Sequence, residues 1–182
     1  MSCAPCKEQE RNFERGELHR PAEGRRAEGR VPGIMEDMDD YTWVDDLSGV
    51  DLEELSHLYE VAPLGHKPPE ALRTVFGHSM FLCFVYAGET LVGAGRALAD
   101  GRDCSYVADV AVHPDHQGRG LGKAIISRLV DLSRGHKKII LYANPGTEGF
   151  YAKLGFLRMN TAMAIWQDQA GAVASGLLRA GP

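Results

Sequence analysis

The pattern of apolar and polar residues divides the chain beyond residue 40 into helical and extended segments. Apolar residues recur at helical spacing in 51–61 and 121–132, and 69–76 and 147–154 are also predicted as helices. Runs rich in β-branched and aromatic residues lie between them, which is typical of strands. The predicted strands are 41–44, 81–87, 90–99, 104–112, 138–143 and 161–166.

The order of these segments predicts a mixed α/β sandwich. It runs strand, two helices, three strands, helix, strand, helix, strand. Gly88-Glu89 is a two-residue hairpin signal between the second and third strands. The helix 121–132 between two strands indicates a βαβ crossover, which a meander of earlier strands precedes.

The two ends of the chain differ from its middle. The first 34 residues alternate Arg and Glu with Gly and Pro, so they have too little apolar surface to offset the entropy of ordering. We therefore expect a disordered leader over 1–34, a folded domain over 35–168 and a flexible tail over 169–182, which is rich in small residues.

Composition and charge exclude several classes of function. The net charge of -5 argues against a nucleic-acid partner, which would need a concentrated basic face. No apolar run approaches the roughly 18 residues of a membrane span, so no membrane partner is expected. Cys3 and Cys6 have the spacing of half a zinc site or of a redox pair, but no second pair follows and no βαβ pattern surrounds them, so we expect neither a metal nor a redox role. A reducing cytoplasm is the simplest setting for these thiols.

The segment 107–123 carries the most informative chemistry. A predicted strand runs into a loop with Gly118, Gly120 and Gly122, and the loop opens a helix. Glycines let a ligand touch the backbone, and the free amides of a helix N-terminus suit a phosphate. Arg119 and Lys123 add positive charge. The glycine spacing matches neither the Walker motif nor the dinucleotide-binding fingerprint.

The pattern Q-x-x-G-x-G from Gln117, after a strand that ends in Val-His-Pro, resembles the coenzyme A signature of the GNAT superfamily of N-acetyltransferases. Asn144 and the run 149–156, Gly-Phe-Tyr-Ala-Lys-Leu-Gly-Phe, strengthen the resemblance. It implies the GNAT fold, an α/β fold of the α+β type whose mixed, largely antiparallel sheet is splayed at the cofactor site and flanked by helices. It also implies acetyl-CoA as co-substrate, an amine acceptor and no metal.

The resemblance assigns roles to particular residues. The backbone of Val110, Ala111 and Val112 would face the pantetheine arm, which Asn144 would also bind. Tyr151 matches the tyrosine near the cofactor sulfur, and a phenol suits that role because its pKa of about 10 lies near that of a thiol leaving group. The residues implied to cradle the pyrophosphate are Gln117, Gly118, Arg119, Gly120, Leu121, Gly122 and Lys123.

The general base and the acceptor stay open at this stage. Asp109, inside an apolar strand, and Tyr106 are candidates for the base, and a structural hydrogen bond is the alternative for Asp109. Local runs look like the bacterial and plastid GNATs grouped with plant serotonin N-acetyltransferases, which favours a small primary amine. A protein lysine, an N-terminal amine and a non-catalytic CoA-binding module are the alternatives, and a homodimer is left open.

Overall fold

The structure, a computed structural model, describes residues 40–180. The predicted leader over 1–34 lies outside the described residues. In chain order the elements are β1 (Tyr41–Val44), α1 (Leu52–Val61), α2 (Pro69–Gly77), β2 (Phe81–Ala87), β3 (Thr90–Ala99), β4 (Cys104–Val112), a 3-10 turn (Pro114–His116), α3 (Leu121–Leu132), β5 (Lys138–Ile140), α4 (Glu148–Ala152) and α5 (Gln169–Ala174).

The strands form one sheet in the order β1-β2-β3-β4-β5. The pairs from β1 to β4 are antiparallel, whereas β5 runs parallel to β4. That parallel pairing joins only Cys104–Tyr106 with Lys138–Ile140. Beyond it, β4 continues to Val112 without β5 beside it, so the sheet is splayed there. This confirms the predicted mixed, largely antiparallel fold.

Helices cover both faces of the sheet. On one face, α1 buries Leu55 and Leu58 in a cluster with Phe76 of α2 and Phe84 of β2. On the other face, α3 packs Leu121, Ile125 and Leu129 against β2, β3 and β4. Asp51 is the N-cap of α1, and its carboxylate accepts hydrogen bonds from the amides of Glu53 and Glu54 at 2.9 and 3.4 Å.

Glycines in β3 allow α3 to approach the sheet closely. A Cβ at Gly93 would lie 2.9 Å from Cδ1 of Ile125, and one at Gly95 would lie 2.8 Å from Cγ2 of the same side chain. Carbon atoms in contact are about 3.5–4.0 Å apart, so neither position has room for a methyl group. The two glycines therefore fix the distance between α3 and β3, and with it the position of the loop before α3.

A β-bulge distorts β4 in its middle. Ala94 lies opposite Ala111 and Arg96 lies opposite Ala108, so β4 has one residue more than β3 over this stretch. Asp109, in the bulge, has φ +52°, a left-handed conformation that Asp tolerates better than most residues. The carbonyl oxygen of Asp109 accepts a hydrogen bond of 2.6 Å from the hydroxyl of Tyr59 on α1.

The side chain of Asp109 is bound by two cations. One carboxylate oxygen accepts a hydrogen bond from Nζ of Lys67, in the loop between α1 and α2, and the other accepts one of 2.5 Å from Nε of Arg96. All three side chains are largely buried, with exposures of 17% for Asp109, 28% for Lys67 and 11% for Arg96. These contacts hold the bulge against α1 and β3.

The C-terminal part differs from the prediction. The predicted strand at 161–166 is wrong: no strand forms there, and Met163 and Ile165 are 97% and 98% exposed, so the alternation has no buried face. The strand predicted to end at residue 143 ends at Ile140, because the splay removes its ladder partner. α5 forms within the predicted tail, where the Asp168 carboxylate accepts a hydrogen bond of 2.9 Å from the Gly171 amide.

Asp109→Asn should lower the free energy of unfolding by about 3 kcal/mol at pH 7, because it leaves two largely buried cations without their counter-charge. Asparagine keeps the tolerance for positive φ, so the loss reports on charge. Asp131→Asn, which removes an exposed partner of Arg134, should change stability by less than about 0.5 kcal/mol. Urea unfolding measures both variants.

The difference in the free energy of unfolding between the wild type and Asp109→Asn should depend on pH. Burial alone would raise the pKa of Asp109, but the hydrogen bond from Lys67 and the charge of Arg96 outweigh it and hold the pKa below its ordinary value. Ionised Asp109 therefore stabilises the fold above the unfolded pKa of about 3.9, and this contribution is lost as the pH falls through the folded pKa. An Asp109→Asn variant as stable as the wild type at pH 7 would contradict this account.

Candidate functional site

The glycine loop joins the end of β4 to the first turn of α3. Gly118 and Gly120 have φ of +77° and +84°, and a Cβ at either position would meet no atom within 4 Å, so the side of the loop is open. Gly120 is the N-cap of α3 and has no side chain with which to cap it. The first amides of α3, from Leu121 onward, therefore lack partners within the helix and carry the positive end of its dipole.

Neighbouring elements brace this loop. Nε2 of Gln117 donates a hydrogen bond of 3.0 Å to the carbonyl of Val112, which ties the start of the loop to the end of β4. The Tyr41 hydroxyl lies 2.9 Å from Nδ1 of His116, so β1 fixes the residue before the loop. A loop held in this way presents its amides without further ordering, which suits an anion such as a pyrophosphate.

The splay between β4 and the chain after β5 contains a cavity of about 340 Å³. The structure brings five of the residues singled out from the sequence together along its wall. They are Tyr106, Asp109, Val110, Asn144 and Tyr151. Val112 and the glycine loop continue from the same edge of β4, so the predicted phosphate cradle and the predicted reacting groups lie along one strand.

Short-range packing positions Tyr151. The Asn144 carbonyl accepts hydrogen bonds from the amide and hydroxyl of Thr147, at 3.0 and 2.7 Å, in the turn that leads into α4. On α4, the Tyr151 ring packs against Phe150 and Phe156, with ring centroids 5.2 and 6.2 Å apart. This packing directs α4 toward the splay.

Tyr106 and Tyr151 of the cavity are neutral at physiological pH. Burial raises the pKa of Tyr151. Burial also raises the pKa of Tyr106, and the nearby Tyr142, stacked on it at 6.2 Å, raises it further. Both phenols can therefore donate a hydrogen bond, whereas accepting a proton as phenolate is unfavourable for them.

Asp109 is an anion with both carboxylate oxygens engaged. Lys67 and Arg96 lower its pKa, so the carboxylate is a weak proton acceptor at neutral pH. Sequence reasoning missed these two partners, which also line the cavity. Arg96 gave a signal, since it is a single charge within the apolar strand 90–99, but Lys67 looked like an ordinary loop residue.

The arrangement fits an acyl-CoA thioester as judged from the groups it leaves unpaired. The first turn of α3 offers free amides for phosphates. The edge of β4 that faces away from β3 has no neighbouring strand beyond Tyr106 in the described part of the chain. An extended arm with amide groups can occupy such an edge, as added strands do.

None of the helices between residues 40 and 180 combines the length and the apolar composition of a membrane span.

Known proteins are similar to this chain in sequence. The uncharacterized N-acetyltransferase ycf52 of Pyropia yezoensis is 32% identical over 60% of this chain and 66% of its own length. The chloroplastic serotonin N-acetyltransferase 2 of rice is 36% identical over 60% of this chain and 58% of its own length. The chain thus matches about two thirds or less of the length of these relatives.

A solved structure agrees with the fold. The GNAT family acetyltransferase of Streptococcus pneumoniae superposes with a TM-score of 0.62 and 25% identity, covering 71% of this chain and 98% of that one. The model of the acetyltransferase (GNAT) family matches residues 50–156, which include β4, the glycine loop and α4. The resemblance seen in the sequence is confirmed: this chain belongs to the GNAT family of acetyltransferases.

Proposed function

We propose that this protein transfers the acetyl group of acetyl-CoA to a primary amine of a small molecule. The observation that carries the proposal is the alignment of the open glycine loop, the free edge of β4 and the Tyr151 cavity along one strand. Both curated relatives described above are named N-acetyltransferases, and the rice protein is named for an amine.

The loop and the strand edge would bind the co-substrate. Amides from Gln117 to Lys123 would hold the pyrophosphate, with Arg119 and Lys123 adding charge. The backbone of Val110, Ala111 and Val112 and the side chain of Asn144 would hold the pantetheine arm. Bound acetyl-CoA supplies an activated acyl group as a thioester.

The transfer requires two proton movements. The amine nitrogen forms a bond to the acetyl carbon, the C–S bond breaks, and a proton reaches the leaving thiolate. The Tyr151 hydroxyl is protonated at neutral pH and would donate a hydrogen bond and then its proton to that thiolate, although burial raises its pKa and so makes it a weaker acid than a free phenol. A water chain beside Tyr106 and Asp109 would carry the proton from the amine to bulk solvent. Tyr106 is already protonated at neutral pH, because its pKa is raised, and the ion pairs of Asp109 make its carboxylate a weak proton acceptor.

The size of the cavity favours a small acceptor. A volume of about 340 Å³ lies at the lower end of the range of small-molecule sites, and the acceptor would share it with the end of the pantetheine arm. A protein lysine or N-terminal amine would need a groove for the flanking peptide. The cytoplasmic location expected from the sequence stays a prediction, and the rice relative is named as chloroplastic.

Release of free CoA with a panel of acceptors tests the proposed function. We expect turnover with at least one class of small primary amine and none with lysine-containing or N-terminal peptides at equal concentration. Turnover with peptides alone would show that the acceptor is an amine of a peptide or protein and not a small molecule. Tight binding of acetyl-CoA without turnover of any amine would instead indicate a binding module.

Tyr151→Phe should lower kcat by roughly ten- to a thousandfold, because water can replace part of the usual contribution of a general acid, which is about 10²- to 10⁴-fold. Affinity for acetyl-CoA should change little, because the phosphates bind at the loop amides. Steady-state kinetics, calorimetry and a melting curve on one preparation separate these effects.

Tyr86→Phe is the matched control, since it removes a phenol of β2 that does not line the cavity, and its kcat should equal that of the wild type. Full activity of Tyr151→Phe would show that water, and not Tyr151, protonates the leaving thiolate. A joint loss of stability and cofactor binding would make Tyr151 a structural residue.

A further inference from the structure

The cavity beside Tyr151 has a positive charge that the proposed transfer does not itself require. Among the described residues that line it, the charged ones are Lys67, Arg96 and Asp109, which leaves one positive charge in excess. The protein as a whole has a net charge of -5, so this local sign runs against the general charge of the chain.

Lys67 is the member of this group that can reach a ligand. Arg96 is 11% exposed, with Nε on Asp109 and Nη1 donating a hydrogen bond of 3.1 Å to Ser79. Lys67 is 28% exposed, and its ammonium has three donors, of which Asp109 accepts one. Lys67 therefore keeps donors for a group that enters the cavity.

Two contacts hold the ammonium of Lys67 in place, and a third holds its backbone. Its own carbonyl accepts a hydrogen bond of 2.7 Å from the Ser56 hydroxyl on α1, which anchors the loop. Nζ lies 4.6 Å from the centre of the Tyr59 ring, a cation–π contact, and binds Asp109. A cation positioned in this way loses little conformational entropy when it binds an anion.

An acceptor amine that enters this cavity meets a repulsive charge. Most primary amines are cations at neutral pH, and repulsion between like charges is stronger in a partly buried site than in water. An anionic group on the same molecule removes the repulsion and pairs with Lys67.

We propose that the acceptor is a primary amine that also carries a carboxylate or phosphate group, and that Lys67 binds this group. The inference rests on the proposed function, because it identifies the class of amine that the same cavity acetylates. It makes Lys67 a specificity-determining residue, with Asp109 holding the ammonium in position.

Matched acceptor pairs test this proposal. Tyramine against tyrosine tests a carboxylate, and glucosamine against glucosamine 6-phosphate tests a phosphate. We expect the anionic member of at least one pair to have the higher kcat/KM, and Lys67→Gln to lower the anionic-to-neutral ratio by about tenfold or more, as the loss of a charged hydrogen bond implies. Lys67→Arg should keep the preference.

The control is Lys137→Gln, which removes one positive charge from a residue that is 76% exposed and does not line the cavity. Its ratio should equal that of the wild type. Equal kcat/KM within both pairs, or a ratio that Lys67→Gln leaves unchanged, would overturn the inference and leave the proposed function standing.

A binding measurement keeps the two proposals separable. If no member of either pair releases CoA, the proposed function fails for these amines, and calorimetry of tyrosine and glucosamine 6-phosphate with the CoA-saturated protein decides the inference. Binding that Lys67→Gln weakens about tenfold supports it. Absent binding, or equal binding to both proteins, overturns it.

Discussion

The bulge at Asp109 is the constraint on which the rest of the site depends. One extra residue in β4 turns the strand within the span where β5 no longer pairs with it, and the positive φ of Asp109 persists because three groups hold it. Tyr59 binds its carbonyl, while Lys67 and Arg96 bind its carboxylate. α1, β3 and the loop before α2 therefore converge on one residue, and the cavity forms beside it.

Acyl transfer requires one place that binds the phosphates and another that holds the reacting groups, and this arrangement puts the two at different points along β4. At the end of β4 the chain offers backbone amides and a helix dipole, which suit phosphates and need no buried charge. In its middle the chain places charged side chains that neutralise one another except for one positive charge. The close packing of α3 on Gly93 and Gly95 keeps the two ends in a fixed relation.

Much of the fold could be predicted from the sequence because its first strands are long or bounded by clear turns. The predicted strands 41–44, 81–87, 90–99 and 104–112 have the bounds seen in the structure. The bulge could not be predicted, since its partners Arg96 and Lys67 lie 13 and 42 residues from Asp109 and their meeting depends on tertiary packing. The strand predicted at 161–166 does not form, because an alternating pattern alone supplies no neighbouring strand with which to pair.

Titration of acetyl-CoA into the wild type and into Gly120→Asp tests the central claim most directly, namely that the glycine loop binds the phosphates. The account predicts one-to-one binding by the wild type and no measurable heat with Gly120→Asp, since a carboxylate would lie at the amides that should meet the phosphates. Gly101→Asp, with φ of +78° in the turn at the other end of β4, controls for backbone strain and added charge and should bind as the wild type does. Unchanged affinity in a folded Gly120→Asp protein would contradict the account.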